Sequence, residues 1–151
     1  MMKILITNDD GIASYGLLLL AKKAIEFGEV TVAAPKTEQS GKSQSINIHS
    51  PFEAREVELL PGVRAYSVDS SPADCVRFAK LGLGVNYDLV LSGINNGLNI
   101  GIDMVYSGTV GAIFEANAEG MPAVALSTTP GSFDAAAAQL DRVIEFFREQ
   151  R

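Results

Sequence analysis

An α/β fold, with a mostly parallel sheet covered by helices on both faces, is predicted by three observations. Apolar, β-branched runs alternate with breaker-free helical stretches, and the runs give way to loops rich in Asn, Asp, Ser and Gly. The hydrophobic content of 47% over 151 residues is enough for one well-buried core and too little chain for two comfortable domains. Residues 1–151 are therefore read as a single domain.

Residues 3–8 and 29–34 read as strands, separated by Leu17-Leu18-Leu19-Leu20-Ala21-Lys22-Lys23-Ala24-Ile25, whose apolar density suits a covering helix. These make a βαβ unit. Residues 36–50 are rich in Ser, Gln, Lys and Gly with little periodicity, so they form a long loop of the kind that carries function in compact domains. Residues 54–60 and 64–69 look like short strands turned by Pro61-Gly62, a candidate hairpin. Pro72 in a first helical turn after Ser71, followed by Ala73 to Leu83, predicts a second helix closed by Gly82 and Gly84. A strand follows over 88–92. Gly93-Ile94-Asn95-Asn96-Gly97-Leu98-Asn99-Ile100-Gly101 is too rich in Asn and Gly for helix or strand and reads as a second functional loop. Ser107-Gly108-Thr109-Val110-Gly111-Ala112 opens a helix to about Glu119, Met121 to Ser127 form a strand, and Phe133 to Arg148 form a final amphipathic helix. There is no internal repeat, coiled coil or low-complexity tract.

Composition removes several functional classes. A net charge of −6, a pI near 4.7 and twelve scattered Lys and Arg argue against a grip on nucleic acid, which needs clustered cations. The single cysteine, Cys75, makes no internal disulfide, and Met1-Met2-Lys3-Ile4 begins a strand rather than a signal peptide, so a cytoplasmic location is expected. No apolar run approaches the roughly 20 residues of a membrane span.

The chemistry concentrates at Asn8-Asp9-Asp10-Gly11, directly behind Ile4-Leu5-Ile6. An apolar run of that kind is an interior strand, and open α/β sheets bind ligands at the carboxyl ends of such strands. Adjacent carboxylates raise each other's pKa and repel unless a cation sits between them. The competing explanation has Asp9 capping the next helix and Asp10 solvated. Loops after the first and second strands and after Ser92 should gather at one sheet edge, bringing Asn8, Asp9, Asp10, Ser40, Ser43, Asn95, Asn96, Asn99, Ser107 and Thr109 together. Asp9, Asp10, a loop serine and an Asn amide oxygen suit a hard cation such as Mg²⁺. His49 and Cys75 are each isolated, which disfavours structural zinc: His49 reads as a surface residue and Cys75 as core. Ser107-Gly108-Thr109 at a helix start is both a natural N-cap and a plausible phosphate cradle.

Other phosphate-handling motifs fail. Gly41-Lys42-Ser43 imitates a P-loop tail, but Lys36 stands where the motif needs glycine. After Ile6 only Gly11 and Gly16 are available, short of a dinucleotide fingerprint. A phospho-receiver domain would need a lysine after its fifth strand, and the chain has none beyond Lys80. A haloacid-dehalogenase-like phosphatase spaces its two aspartates two apart, whereas Asp9 and Asp10 are adjacent.

Taken together, Ile4-Leu5-Ile6-Thr7-Asn8-Asp9-Asp10-Gly11, Ala34-Pro35 with Ser40, Pro72-Ala73-Asp74-Cys75-Val76, Ser92-Gly93-Ile94-Asn95 with Gly97 and Asn99, and Tyr106-Ser107-Gly108-Thr109-Val110 resemble the SurE family of survival-protein nucleotidases. The motifs run in family order across residues 3–128. The resemblance implies a three-layer α/β/α, Rossmann-like domain. It implies a phosphatase dependent on one divalent metal ion, Mg²⁺ or Mn²⁺, that acts on nucleoside 5′- and 3′-monophosphates and, in some members, on short polyphosphate. Asp9, Asp10, Ser40 and Asn95 match the family's metal ligands. The acidic pair is also the catalytic candidate, Asp9 or Asp10 orienting or deprotonating a metal-activated water, with direct attack by an aspartate as the open alternative. Asn99, Ser107, Gly108 and Thr109 match positions lining its phosphate pocket. Ser71 replaces the usual threonine and Leu98 a frequent proline. Family members continue past the helix ending near Arg151, so the carboxyl-terminal part of the family fold is expected to be absent, and its lack raises the alternative of a metal- and phosphate-binding core without turnover. Self-association as a dimer or tetramer is expected.

Overall fold

Strand β1 (Met2–Thr7) is the middle of the molecule, and everything else is arranged about it. The computed structural model describes residues 1–150. After β1 come α1 (Tyr15–Ala24), β2 (Gly28–Pro35), β3 (Ala54–Val57), β4 (Arg64–Val68), α2 (Pro72–Arg77) and β5 (Leu89–Asn96). The chain continues through α3 (Asp103–Tyr106), α4 (Gly108–Ala118), β6 (Ala123–Thr128), α5 (Phe133–Ala137) and α6 (Leu140–Glu149). The sheet has the order β3-β4-β2-β1-β5-β6 and is parallel except for β3, which runs antiparallel to β4. The predicted α/β class with a mostly parallel sheet is therefore the fold observed.

β1 is flanked by β2 on one side, with Ile6 opposite Val32, and by β5 on the other, with Thr7 opposite Ser92. The chain thus leaves β1 in one direction and returns on its other side, a topological switch that opens a crevice at the strands' carboxyl ends. Both faces of β1 are covered, which is why its run is apolar without alternation. Ile4 and Ile6 pack on one face with Leu17 and Leu20 of α1 and Leu140 and Ile144 of α6. Leu5 packs on the other with Cys75 and Val76 of α2 and Ala112 and Ala116 of α4. Cys75 is core, as its neighbours suggested, and His49 is exposed.

Several boundaries differ from expectation. The strand read over 54–60 stops at Val57, though the hairpin with 64–68 forms. The segment from Gly93, read as a loop, continues β5 to Asn96, with a register shift against β6 between Ser92 and Asn95. Gly93 makes this possible: its φ is +139° and a Cβ would lie 2.3 Å from the Leu126 carbonyl oxygen. The helix from Pro72 changes at Phe78 to a wider π turn over Phe78–Gly82. The final helix is two helices, α5 and α6, and the break at 138–139 lets Leu140 and Ile144 reach the core beside α1. The short α3 was not foreseen. Among the described residues no helix is long and apolar enough to cross a membrane.

Candidate active site at the carboxyl end of the central strand

The turn after β1 is built by Asn8. Its buried amide donates to the Gly11 carbonyl at 3.0 Å and to Ser14 Oγ at 2.7 Å, and its Oδ1 accepts the Gly11 N–H at 3.2 Å. Gly11 sits at φ +101°, which a side chain would resist. The closed turn leaves Asp9 and Asp10 projecting from the sheet end. Ser14, not Asp9, occupies the N-cap of α1, so the capping explanation for Asp9 does not hold.

Asp9 is 4% exposed. The Thr109 hydroxyl donates to its Oδ1 at 2.7 Å, and the Thr109 backbone N–H also faces the carboxylate. Burial holds the Asp9 carboxyl above its ordinary range; the Thr109 hydroxyl opposes that rise and the charge of Asp10 adds to it. Asp10 is half-buried, and its Oδ2 accepts the Asn96 N–H at 3.1 Å. Gly108 is required by closeness: a Cβ there would stand 2.9 Å from Asp9 Cβ, 3.1 Å from Pro72 Cγ and 3.2 Å from the Gln39 carbonyl. Each carboxylate thus has one oxygen held by the protein's own donor, Asp9's from α4 and Asp10's from β5.

The remaining predicted residues reach this edge in different ways. Ser40 and Asn95 arrive through their chain neighbours: Gln39 donates its N–H to the Asp9 carbonyl at 2.7 Å, and Asn96 holds Asp10. Their side chains point elsewhere, Ser40 Oγ donating to Glu38 at 2.7 Å and the Asn95 amide to the Gly97 carbonyl at 2.7 Å. Asn99 donates to Ser127 Oγ at 2.7 Å at the end of β6. Ser107 caps α4, accepting the Val110 N–H at 3.2 Å, as Ser at a helix start does. Thr109, expected at the phosphate, spends its hydroxyl proton on Asp9.

Among the described residues no three His, Cys, Asp or Glu side chains cluster closely enough to hold a metal by themselves. The donor set at the crevice is two carboxylates with neutral hydroxyl, amide and carbonyl oxygens nearby. That chemistry fits a hard divalent cation that keeps waters in its shell, and does not fit zinc of the structural kind. A cavity of about 790 Å³ lies away from this crevice, along Glu56–Val63 of the hairpin.

Three contributors were not in the predicted ligand set. Gln39 and Asn96 act through backbone N–H groups, which carry no side-chain signature. Asn8 had a signal in its spacing to Gly11, since Asn three residues before Gly is a turn builder.

A family model for the survival protein SurE matches residues 4–150. The 5′-nucleotidase SurE of Clostridium beijerinckii is 48% identical over 128 residues, covering 83% of this chain and 50% of that protein. The 5′-nucleotidase SurE of Citrifermentans bemidjiense is 46% identical over 143 residues, covering 91% and 56% respectively. The crystal structure of the SurE protein from Aquifex aeolicus superposes with a TM-score of 0.85 at 34% identity, covering 97% of this chain and 60% of that one. The chain spans about half the length of the curated relatives it matches. With its crevice residues, its sheet order and nearly its whole length inside these matches, the chain belongs to the SurE survival-protein family.

Proposed function

We propose that residues 1–151 are one domain, the core of a divalent-metal-dependent phosphatase that hydrolyses nucleoside 5′- and 3′-monophosphates, with short polyphosphate as a further substrate. The observation that carries this reading is the acidic pair at the end of β1, with the first turn of α4 set against Asp9. The names of the relatives support the substrate class.

One Mg²⁺ or Mn²⁺ ion, when bound, supplies Lewis-acid polarisation of a water and of a phosphoryl oxygen. Asp9 and Asp10 would hold it, with the Ser40 hydroxyl and the Asn95 amide oxygen as neutral ligands. Asp9 or Asp10 orients the attacking water and takes its proton. Asn99, Ser107 and the amides of Gly108 and Thr109 line the phosphate side, where a preorganised donor contributes about 3 kcal/mol in comparable sites. The Thr109 hydroxyl works one step back, keeping Asp9 ionised and aimed.

Phosphate release from AMP, GMP and a nucleoside 3′-phosphate, with Mg²⁺ or Mn²⁺ and with EDTA, tests the reading. Turnover that requires metal and disappears in Asp9→Asn is expected; metal-independent turnover, or full activity in Asp9→Asn, overturns it. The second reading is a metal- and phosphate-binding core without turnover. Calorimetric titration with Mn²⁺ identifies that case by binding without phosphate release. We also propose a cytoplasmic homo-oligomer, dimer or tetramer. Exposed Leu98, Ile100, Ile102, Val105 and Tyr106 between β5 and α4 support self-association, and a clean monomer by sedimentation at high micromolar concentration would count against it.

A further inference from the structure

We propose that Gly111 and Glu115 of α4 are positioning residues for the metal, acting through the long loop that carries Ser40; the inference rests on the metal reading above. Residues 36–53 have no regular secondary structure, yet the loop is tied at both sides of Ser40. On one side the Gln39 N–H is held by the Asp9 carbonyl. On the other, Ser43 donates its N–H to the Tyr106 carbonyl at 3.0 Å and its hydroxyl to the Val105 carbonyl at 2.7 Å. Ser43 itself takes a left-handed conformation, φ +54°, to make both contacts.

Beneath this second anchor lie Gly111 and Glu115, one turn apart on the same face of α4. A Cβ on Gly111 would stand 1.9 Å from the Ser43 carbonyl oxygen and 2.7 Å from the Gln44 nitrogen. Both are backbone atoms, so the loop must lift to admit it. Glu115 is 6% exposed, accepts the Gln44 side-chain amide at 3.0 Å and pairs with Arg77 at 3.0 Å. A buried carboxylate is retained at such a place only with partners, and its two partners here join the loop to α2. The same helix that reaches Asp9 through Thr109 therefore also sets the height of the loop above Asp9. Removing either support leaves Ser40 unplaced without touching a proposed ligand, the behaviour of outer groups that orient metal ligands.

The test compares wild type, Gly111→Ala, Glu115→Leu and Glu115→Gln in two measurements: Mn²⁺ titration calorimetry, and amide hydrogen exchange of residues 39–47 in metal-free protein. Gly→Ala inside a helix ordinarily favours the helix, so a role confined to α4 predicts unchanged exchange in the loop and unchanged metal affinity. We expect Gly111→Ala and Glu115→Leu to weaken Mn²⁺ binding by about tenfold or more and to speed loop exchange. Glu115→Gln, which keeps an acceptor oxygen for Gln44, should restore affinity to within about threefold of wild type and slow the loop again. Wild-type affinity and exchange in both Gly111→Ala and Glu115→Leu overturn the inference while leaving the metal site standing. Wild type that folds but does not bind Mn²⁺ overturns the metal reading and this inference with it.

Discussion

The Thr109 hydroxyl and Asp9 Oδ1 are 2.7 Å apart, across 100 residues of sequence. This contact fastens the tip of β1 to the first turn of α4 and gives a buried carboxylate the donor that burial makes it need. Replacing the hydroxyl by a methyl, Thr109→Val, should cost about 1.5–3 kcal/mol, the usual range for a hydrogen bond to a charged group. Thr109→Ser should lose far less. Urea unfolding of both variants near neutral pH in EDTA checks the ordering.

The same burial makes the metal-free protein sensitive to pH. Asp9 is held above the ordinary carboxylate range in the fold, so the native state binds this proton more tightly than the unfolded chain does. Its contribution to stability is fully present below the unfolded pKa of about 3.9 and is lost as pH rises through the folded pKa. The difference in unfolding midpoint between wild type and Asp9→Asn, measured in EDTA, should therefore move against wild type as pH rises through that window and level off above it.

A cation between Asp9 and Asp10 would bind only the folded state, because the crevice is assembled from distant segments. Mn²⁺ at about a hundred times its dissociation constant should add roughly 2.7 kcal/mol to stability. Thermal unfolding should show an upward shift of Tm that EDTA reverses and that Asp9→Asn abolishes.

Cys75 is fully buried among Leu5, Val76 and Ala79, and burial pushes its thiol well above its ordinary pKa. The thiol should not react with an aromatic disulfide reagent in the native protein and should react stoichiometrically in denaturant. The native reaction rate then reports global opening and should slow when Mn²⁺ is added.

Gly16 is the close-approach point between α1 and β5: a Cβ there would lie 2.1 Å from the Ile94 carbonyl oxygen. Gly16→Ala should destabilise by about 1–3 kcal/mol through overpacking, despite alanine's better helix propensity. Guanidinium unfolding gives the value, and stabilisation instead would refute the packing argument.

The order of strands and helices could be read from the sequence because each is marked locally: Ile4-Leu5-Ile6 by a continuous apolar run, α1 by the absence of breakers, α2 by Ser71-Pro72, α4 by Ser107. What could not be read depends on partners far along the chain. Gly93-Ile94-Asn95-Asn96 has the composition of a loop, and only pairing with β6 turns it into strand. The split between α5 and α6 follows from where Leu140 and Ile144 find a core, which no local signal contains. At the crevice the acidic pair and the helix start were visible as residue types. The target of the Thr109 hydroxyl, the backbone donors of Gln39 and Asn96, and the pressure of Ser43 on Gly111 were not, since each is a meeting of segments rather than a pattern within one.

β1 gains its two sheet partners from stretches of sequence far apart, β2 directly after α1 and β5 only after β4 and α2. During synthesis it can pair with β2 as soon as α1 folds back, but its other side stays bare until β5 emerges, and Asp9 lacks its donor until Thr109 has left the ribosome. Until β5 joins, β1 therefore carries an open strand edge ending in two charges. Charges at an open strand edge deter its pairing with a neighbouring chain, so the acidic pair protects β1 until β5 covers it.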